Sequence, residues 1–242
     1  ATAGWVGETG SRTATNTPQL GRWRIPVHEL YANPAATQKV LDDSFVNLES
    51  WLADKVSDKF TRIENDAFVN GNGVGKPRGF LTYGSGTTLP GTIEQKLTGA
   101  SGGFLADGTG GDCLLDLMYA LKQAYRSGAR WFMPRAVVAQ VRKIKDADGM
   151  YLWQPGIGAG QPSTLLGFPI VEMEDMPAPA AGTLSAAFGN MGEAYQIVDR
   201  QGIRVLRDPY TNKPYVHFYT VKRTGGDVVN FEAIKLLKFS AS

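Results

Sequence analysis

Residues 70–80 read NGNGVGKPRGF, three glycines followed by a lysine, the composition of a loop that cradles phosphate. Such a loop needs a strand before the glycines and a helix after them, so that helix N–H groups face the anion. Here the order is reversed: a helical pattern precedes the glycines and Pro77 follows them. Lys76 is followed by proline, not by the Ser or Thr that would hold magnesium. Pro77 also removes one amide donor and biases Lys76 away from helix. The stretch therefore predicts a glycine helix cap and a turn. A nucleotide-binding enzyme using Gly71 to Lys76 is the alternative that this order argues against.

The other reactive side chains are few and scattered. Cys113 is the sole cysteine and stands beside an expected helix start, with no histidine near it in sequence. A thiolate favoured by that position is one reading, and a small buried thiol is the plainer one. The two histidines, His28 and His217, lie far apart, and no Cys or His cluster has metal-ligand spacing. No G-x-S-x-G elbow is present. Glu172, Glu174 and Asp175 form an acidic cluster before Met176 and Pro177. Paired carboxylates can do acid–base work, but three acids at a strand end suit a solvated turn or a salt-bridge site toward another subunit. Arg126, Arg130, Arg135, Arg142, Lys143 and Lys145 make the middle of the chain locally basic. They read as a solvated helix face, or as contacts to phosphate or to a neighbour's carboxylates. No catalytic residue, cofactor or metal ligand is assigned.

Composition narrows the classes further. The 242 residues are 43% hydrophobic and 20% charged, as in ordinary folded domains, and are long enough for one large core or two modest ones. The formal net charge of +2 gives no global attraction to nucleic acid. A single cysteine rules out an internal disulfide and fits a reducing compartment. No apolar run is long enough to span a membrane, and no signal-peptide pattern is present. The chain opens on Ala1 without an initiator Met, which suggests upstream residues that were cleaved, disordered or omitted.

Residues 1–31 lack helical period and read as a long hairpin with a polar tip between Trp5 and the run LGRWRIPV at 20–27. A lone hairpin is marginal in water, so this arm should lean on something outside its own fold. Asn33 and Pro34 suit the start of a short helical turn. Leu41, Phe45, Leu48, Leu52, Val56, Phe60, Ile63 and Ala67 recur by fours and threes, predicting an amphipathic helix over about 44–70, roughly 40 Å long. Asp54, Asp58 and Arg62 fall on other faces, with Asp58 four before Arg62. Residues 82–111 predict a long loop with at most a short strand, and Asp112 is expected to cap a helix over 114–126. A buried strand at 129–133 and a helix opened by Pro134 follow. Short strands are expected near 151–153, 168–173, 186–189, 195–199, 203–207, 214–222, 228–231 and 234–239. The class is α+β without a βαβ repeat.

Ordered landmarks add a resemblance across nearly the whole chain. They are WVGE at 5–8, RIPV at 24–27, a long helix ending FVNGNG at 68–73, and KPRGF at 76–80. DADG at 146–149, YLWQP at 151–155, LLGFPI at 165–170, Met176-Pro177, FGN at 188–190 and AIKLLK at 233–238 complete the series. In this order they resemble the major capsid proteins of tailed bacteriophages with the Hong Kong 97-type fold, from a phage or a phage-derived gene transfer agent.

The resemblance implies an extended loop over 1–33 and a peripheral domain over 34–110 containing the spine helix. It further implies an axial domain over 111–220 and return strands of the peripheral domain over 221–242. The implied function is a shell of pentamers and hexamers around double-stranded DNA, held without sequence specificity. Contacts between subunits are expected at Trp5, Glu8, Arg12, Arg22, Trp23, Arg24, Asp54, Asp58, Arg62, Glu172 and Glu174. Further partners would be a portal, a scaffolding segment or protein, a maturation protease and decoration proteins, with assembly in the bacterial host cytoplasm. One branch of the family joins subunits through a lysine in the extended loop. Residues 1–31 contain no lysine, so no such cross-link is expected. An encapsulin-like compartment shell, storing protein cargo instead of DNA, is the alternative within the same fold.

Overall fold

The computed structural model describes Trp5 and residues 23–87, 90–105, 109–146, 148–153 and 164–241. The chain begins with β1 (His28–Ala32), β2 (Ala35–Thr37), α1 (Gln38–Asp43) and α2 (Leu48–Asn70). A short 3-10 turn at Phe80–Thr82 leads into β3 (Gly84–Ser85), β4 (Thr92–Ile93), β5 (Gln95–Ser101) and β6 (Gly103–Phe104). Then come α3 (Asp112–Ala120), α4 (Gln123–Arg126), β7 (Arg130–Met133) and α5 (Arg135–Arg142). After these run β8 (Thr164–Leu165), β9 (Phe168–Glu172), β10 (Leu184–Gly189) and α6 (Met191–Ala194). Two long strands, β11 (Tyr195–Asp208) and β12 (Tyr215–Val228), and then β13 (Ile234–Ser240) complete the described chain.

The 23 residues of α2 span about 35 Å at 1.5 Å per residue. The helix starts later than the periodicity suggests. The Asn47 side chain accepts from the Ser50 amide and caps it, and residues 44–47 separate it from α1. Phe45, in phase with the apolar stripe, lies outside both helices and is fully exposed at 105%. Pro34 introduces a short strand, and the following helix α1 is capped by Thr37. Val56, Phe60 and Ala67 are buried, the first of them beside Val205 and Phe218. Two ion pairs fix the helix on that sheet: Arg207 Nε to Glu49 Oε1 at 2.9 Å and Lys222 Nζ to Glu64 Oε2 at 2.7 Å.

That sheet has four strands. Its order is β1-β12-β11, all antiparallel, with β2 also pairing along β12. The second sheet has seven strands in the order β6-β5-β13-β10-β7-β9-β8. Within it β13 runs parallel to β5 and antiparallel to β10, and β7, α5 and β9 form one parallel crossover. Both faces of this sheet are covered. Trp131, Met133, Phe188, Leu237 and Phe239 pack against α3 and α5. Phe132, Ala187, Ile234 and Leu236 join Val69, Phe80, Tyr83 and Phe231 on the other face. Alternate residues of β7, β10 and β13 thus enter opposite cores, which is why these strands read as continuous apolar runs. The Trp131 ring lies 4.5 Å from that of Phe188, and its N–H donates to the Leu165 carbonyl at 3.0 Å. Burying one such ring contributes about 3 kcal/mol.

Several expectations need correction. Residues 28–32 pair with β12 and are not part of a free hairpin; residues 23–27 form no strand; and residues 6–22 lie outside the described residues. The loop expected over 82–111 contains four strands, because Thr92–Ile93 pairs with β3 and Gln95–Ser101 with β13. The helix expected over 114–126 is broken at Leu121 and Lys122 into α3 and α4, and Asp112 is the first helical residue, not the cap. Residues 151–153 form only an isolated bridge, Lys145 to Tyr151. The separate strands expected at 195–199 and 203–207 are one, with register shifts between them. The boundary placed at 220 falls inside β12, and the last strand lies in the middle of the seven-stranded sheet, where Ile234 and Leu236 share a core with Val69 of the spine helix.

A half-buried charge pair pins that last strand. Lys235 Nζ lies 2.9 Å from Glu94 Oε2, and Lys96 reaches Oε1 of the same carboxylate at 3.1 Å. Burial opposes ionisation of Glu94, but hydrogen bonds and charge from Lys235 and Lys96 outweigh it and hold the carboxyl below its usual range. A carboxylate with a depressed folded pKa contributes stability above its unfolded pKa and loses it as pH falls through the folded value. A Glu94→Gln protein should therefore melt lower than the parent at pH 7, with the difference closing as the buffer is taken below pH ~4. Thermal melts of both proteins across pH check this, and a constant difference would contradict it.

Candidate assembly surfaces

The glycine-rich stretch is a tight turn that serves the backbone around it. Gly71 closes α2 through its amide to the Ala67 carbonyl at 2.9 Å. Gly71 is the glycine cap expected, and it caps with extended backbone, φ −63° and ψ 140°. The need for glycine there is steric. A Cβ at Gly71 would stand 2.1 Å from the Pro77 carbonyl oxygen and 2.3 Å from that of Ala67. One at Gly79 would stand 2.2 Å from the Val69 oxygen. The Gly79 amide donates to Gly71 and that of Arg78 to Gly226, at 2.8 and 3.1 Å. These amides serve the chain itself, and Lys76 is exposed on the turn. The arrangement does not form an anion cradle.

Just beyond the turn, the Arg78 guanidinium stacks 3.9 Å over the Tyr83 ring, and the Tyr83 hydroxyl donates to Asp227 Oδ1. The Tyr195 hydroxyl donates to the Arg78 carbonyl at 2.9 Å. Burial pushes both phenols far above their ordinary range, with Asp227 adding to the shift, so neither is poised for proton transfer. This polar cluster ties the turn after α2 to the root of β12.

Between α2 and the seven-stranded sheet runs a groove of about 380 Å³. Phe68, Met173, Met191, Tyr195 and Ile197 supply its apolar wall, and Glu172, Glu174 and Asp175 its rim. Asn70 sets the geometry by donating from Nδ2 to Asp66 Oδ1 at 2.9 Å and to the Asp175 carbonyl at 2.7 Å. Burial, then the charges of Asp66 and Glu174, push the Asp175 carboxyl up. Among the described residues no cation pairs with Glu172, Glu174 or Asp175. The groove thus joins an apolar floor to uncompensated negative charge, an arrangement suited to a basic, aromatic segment.

Of the residues expected to contact other subunits, Glu172 and Glu174 share this rim, both exposed. Asp54, Asp58 and Arg62 are exposed along α2, and no ion pair joins Asp58 to Arg62 among the described residues. Trp5 is fully exposed, Arg24 is exposed, and Trp23 meets Phe231 edge to face, at 6.1 Å between ring centres. Glu8, Arg12 and Arg22 lie outside the described residues. The apolar floor was not legible in the sequence. Its five side chains come from α2, β11, the turn after β9 and the start of α6, and no periodicity links them.

The remaining reactive groups are inert or isolated. Burial pushes the Cys113 thiol up to about 12, and its Sγ donates to the Gly110 carbonyl at 3.5 Å. The thiolate reading therefore gives way to the buried thiol. Folded protein should resist iodoacetamide at pH 8 over hours and react within minutes in denaturant; rapid labelling of the native state by mass spectrometry would contradict this. Among the described residues no three His, Cys, Asp or Glu side chains gather as a metal site. No described helix is long and apolar enough to cross a membrane.

The sequence matches the Phage capsid family over residues 1–239. The structure is similar to the capsid of a native GTA particle computed with C5 symmetry, at 48% identity and a TM-score of 0.89, covering 99% of this chain and 81% of that one. The capsid of an empty GTA particle gives 47% identity and a TM-score of 0.88 over the same shares. A chain of Gordonia phage Cozz has the same fold at 15% identity, with a TM-score of 0.66, covering 100% of this chain and 79% of that one. A search of curated proteins returned no significant match.

Proposed function

The chain belongs to the phage capsid family and is a major capsid protein of a phage or gene transfer agent; from that premise we propose how it builds its shell. Copies assemble as pentamers and hexamers into a closed icosahedral particle, because many weak repeated contacts summed over a symmetric shell stabilise the whole. The four-stranded sheet with α2 forms the peripheral unit. The seven-stranded sheet with α3, α4 and α5 forms the axial unit. Residues 1–24, which carry Trp5, Arg12, Arg22, Trp23 and Arg24, drape over an adjacent subunit. Their landing site is the acidic groove between α2 and β9. The particle holds double-stranded DNA by confinement and not by sequence, in keeping with the formal net charge of +2. The protein has no enzymatic activity of its own. Assembly takes place in the host cytoplasm, with portal, scaffold, protease and decoration proteins as the expected company.

The observation that carries this reading is the match to gene-transfer-agent capsids over 99% of the chain at 47–48% identity. Electron microscopy of the expressed protein should show closed shells, and nuclease treatment of native particles should leave protected DNA. Monodisperse monomers under all conditions would defeat the proposal, and packaged protein in place of DNA would turn it toward a storage compartment. The absence of lysine from residues 1–31 predicts single-chain bands when intact particles are boiled in detergent and run on a gel. Covalent ladders would show cross-linking by another route.

A further inference from the structure

A second pocket, of about 130 Å³, lies on the opposite flank of α2, between the helix, edge strand β1 and the Gly75–Pro77 turn. His28, Glu64 and Thr224 line it, and each presents a buried polar atom without a hydrogen-bond partner: Nε2, Oε1 and Oγ1. Thr224 is 3% exposed and the Glu64 side chain 11%. The three are held toward one another by the fold. His28 and Thr224 are directly opposed across the β1–β12 ladder. Two residues along β12, on the same face of the sheet, Lys222 pairs with the other Glu64 oxygen at 2.7 Å and lies 3.9 Å from Asp199.

All three free atoms can accept a hydrogen bond, His28 Nε2 when the neutral ring carries its proton on Nδ1. Leu30, Ile63 and Pro77 give the pocket apolar walls, and Asp66 lies along it as a further acidic residue. Lys76 is the one opposing charge on the turn and is exposed. The volume holds about four water-sized groups. We propose that this pocket binds a primary alkylammonium group. Its three N–H donors would meet Glu64 Oε1, His28 Nε2 and Thr224 Oγ1, with its methylene stem along Leu30, Ile63 and Pro77. That chemistry has two sources, a free polyamine or the lysine of another copy.

The test uses the full protein, first unassembled and then as particles, with n-butylammonium as probe. Tetramethylammonium, with equal charge but no N–H donor, is the control. Butylammonium should bind saturably and shift the His28 ring resonance, resolved from that of His217 because the chain has only 2 histidines. Tetramethylammonium should not. Thr224→Val keeps the shape, leaves the Lys222–Glu64 pair intact, and should weaken binding about ten-fold. Glu64→Gln should weaken it at least as much. Equal response to both amines, or full affinity in Thr224→Val, overturns the proposal. Equilibrium dialysis of assembled particles then separates the sources: retained binding marks a free polyamine, and loss on assembly marks a neighbour's lysine. Particles that fail to form leave the measurement on unassembled subunits unaffected, so the pocket and the shell are judged separately.

Discussion

Gly71→Ala is expected to destabilise the subunit strongly. Its new methyl carbon would stand within 2.1 and 2.3 Å of two carbonyl oxygens, on the Pro77 and Ala67 backbones. Neither oxygen sits on a flexible side chain that can swing away. The Ala67 oxygen is held by the Gly71 amide, and the Gly79 amide returns to Gly71, so relief of the clash would open the end of the spine helix. Overpacking against fixed backbone costs about 3 kcal/mol or more. For a chain of this size that corresponds to a fall of about 10 °C in Tm. Gly75→Ala is the matched control. It also adds one methyl, but into open space, and meets only the cost of φ +67°, about 1–2 kcal/mol. Thermal melts of the two variants decide the matter: if Gly75→Ala proves the more damaging, the turn is not the steric lock described.

The second large effect concerns assembly. Replacing Glu172 and Glu174 together by Lys should abolish particles while the subunit still folds, since both side chains are exposed and carry no ion pair among the described residues. Like charges brought together at an interface cost several kcal/mol, so particle yield should fall about ten-fold or more. Reversing Arg12 and Arg22 to Glu in the same chain should restore part of that yield, because the arm and the groove would again carry opposite charge. Sedimentation separates shells from free subunits, and circular dichroism verifies the fold. Normal yield from the groove variant alone would remove the groove as the landing site. Failure of the paired reversal to rescue would remove the arm as its occupant.

What the sequence disclosed, and what it withheld, follows from the range of the forces involved. The spine helix was legible because Leu52, Val56, Phe60 and Ala67 repeat within single turns. The role of the glycines after it was legible from the order helix, glycine, proline. Its true start was not, since Phe45 keeps the apolar phase while Asn47 caps the helix beyond it. The strand at 95–101 was missed because its partner lies far along the chain: Leu97 pairs with Lys238. A pairing of that separation leaves no local pattern. The same reason hid the place of residues 234–239, whose run IKLLKF reports burial on two faces but not which neighbours supply it. The acidic rim was visible as Glu172, Glu174 and Asp175, while its apolar wall was assembled by tertiary packing alone.

The position of β13 also fixes the order in which the seven-stranded sheet can close. Every nascent chain that has not yet emerged through residue 240 holds β10 on one side and β5 on the other, with nothing between them to join the two halves. Domain-sized units close only when their last element is available. The seven-stranded sheet is therefore continuous only once residues 234–240 are in place; without them β5 and β10 each keep an unpaired edge.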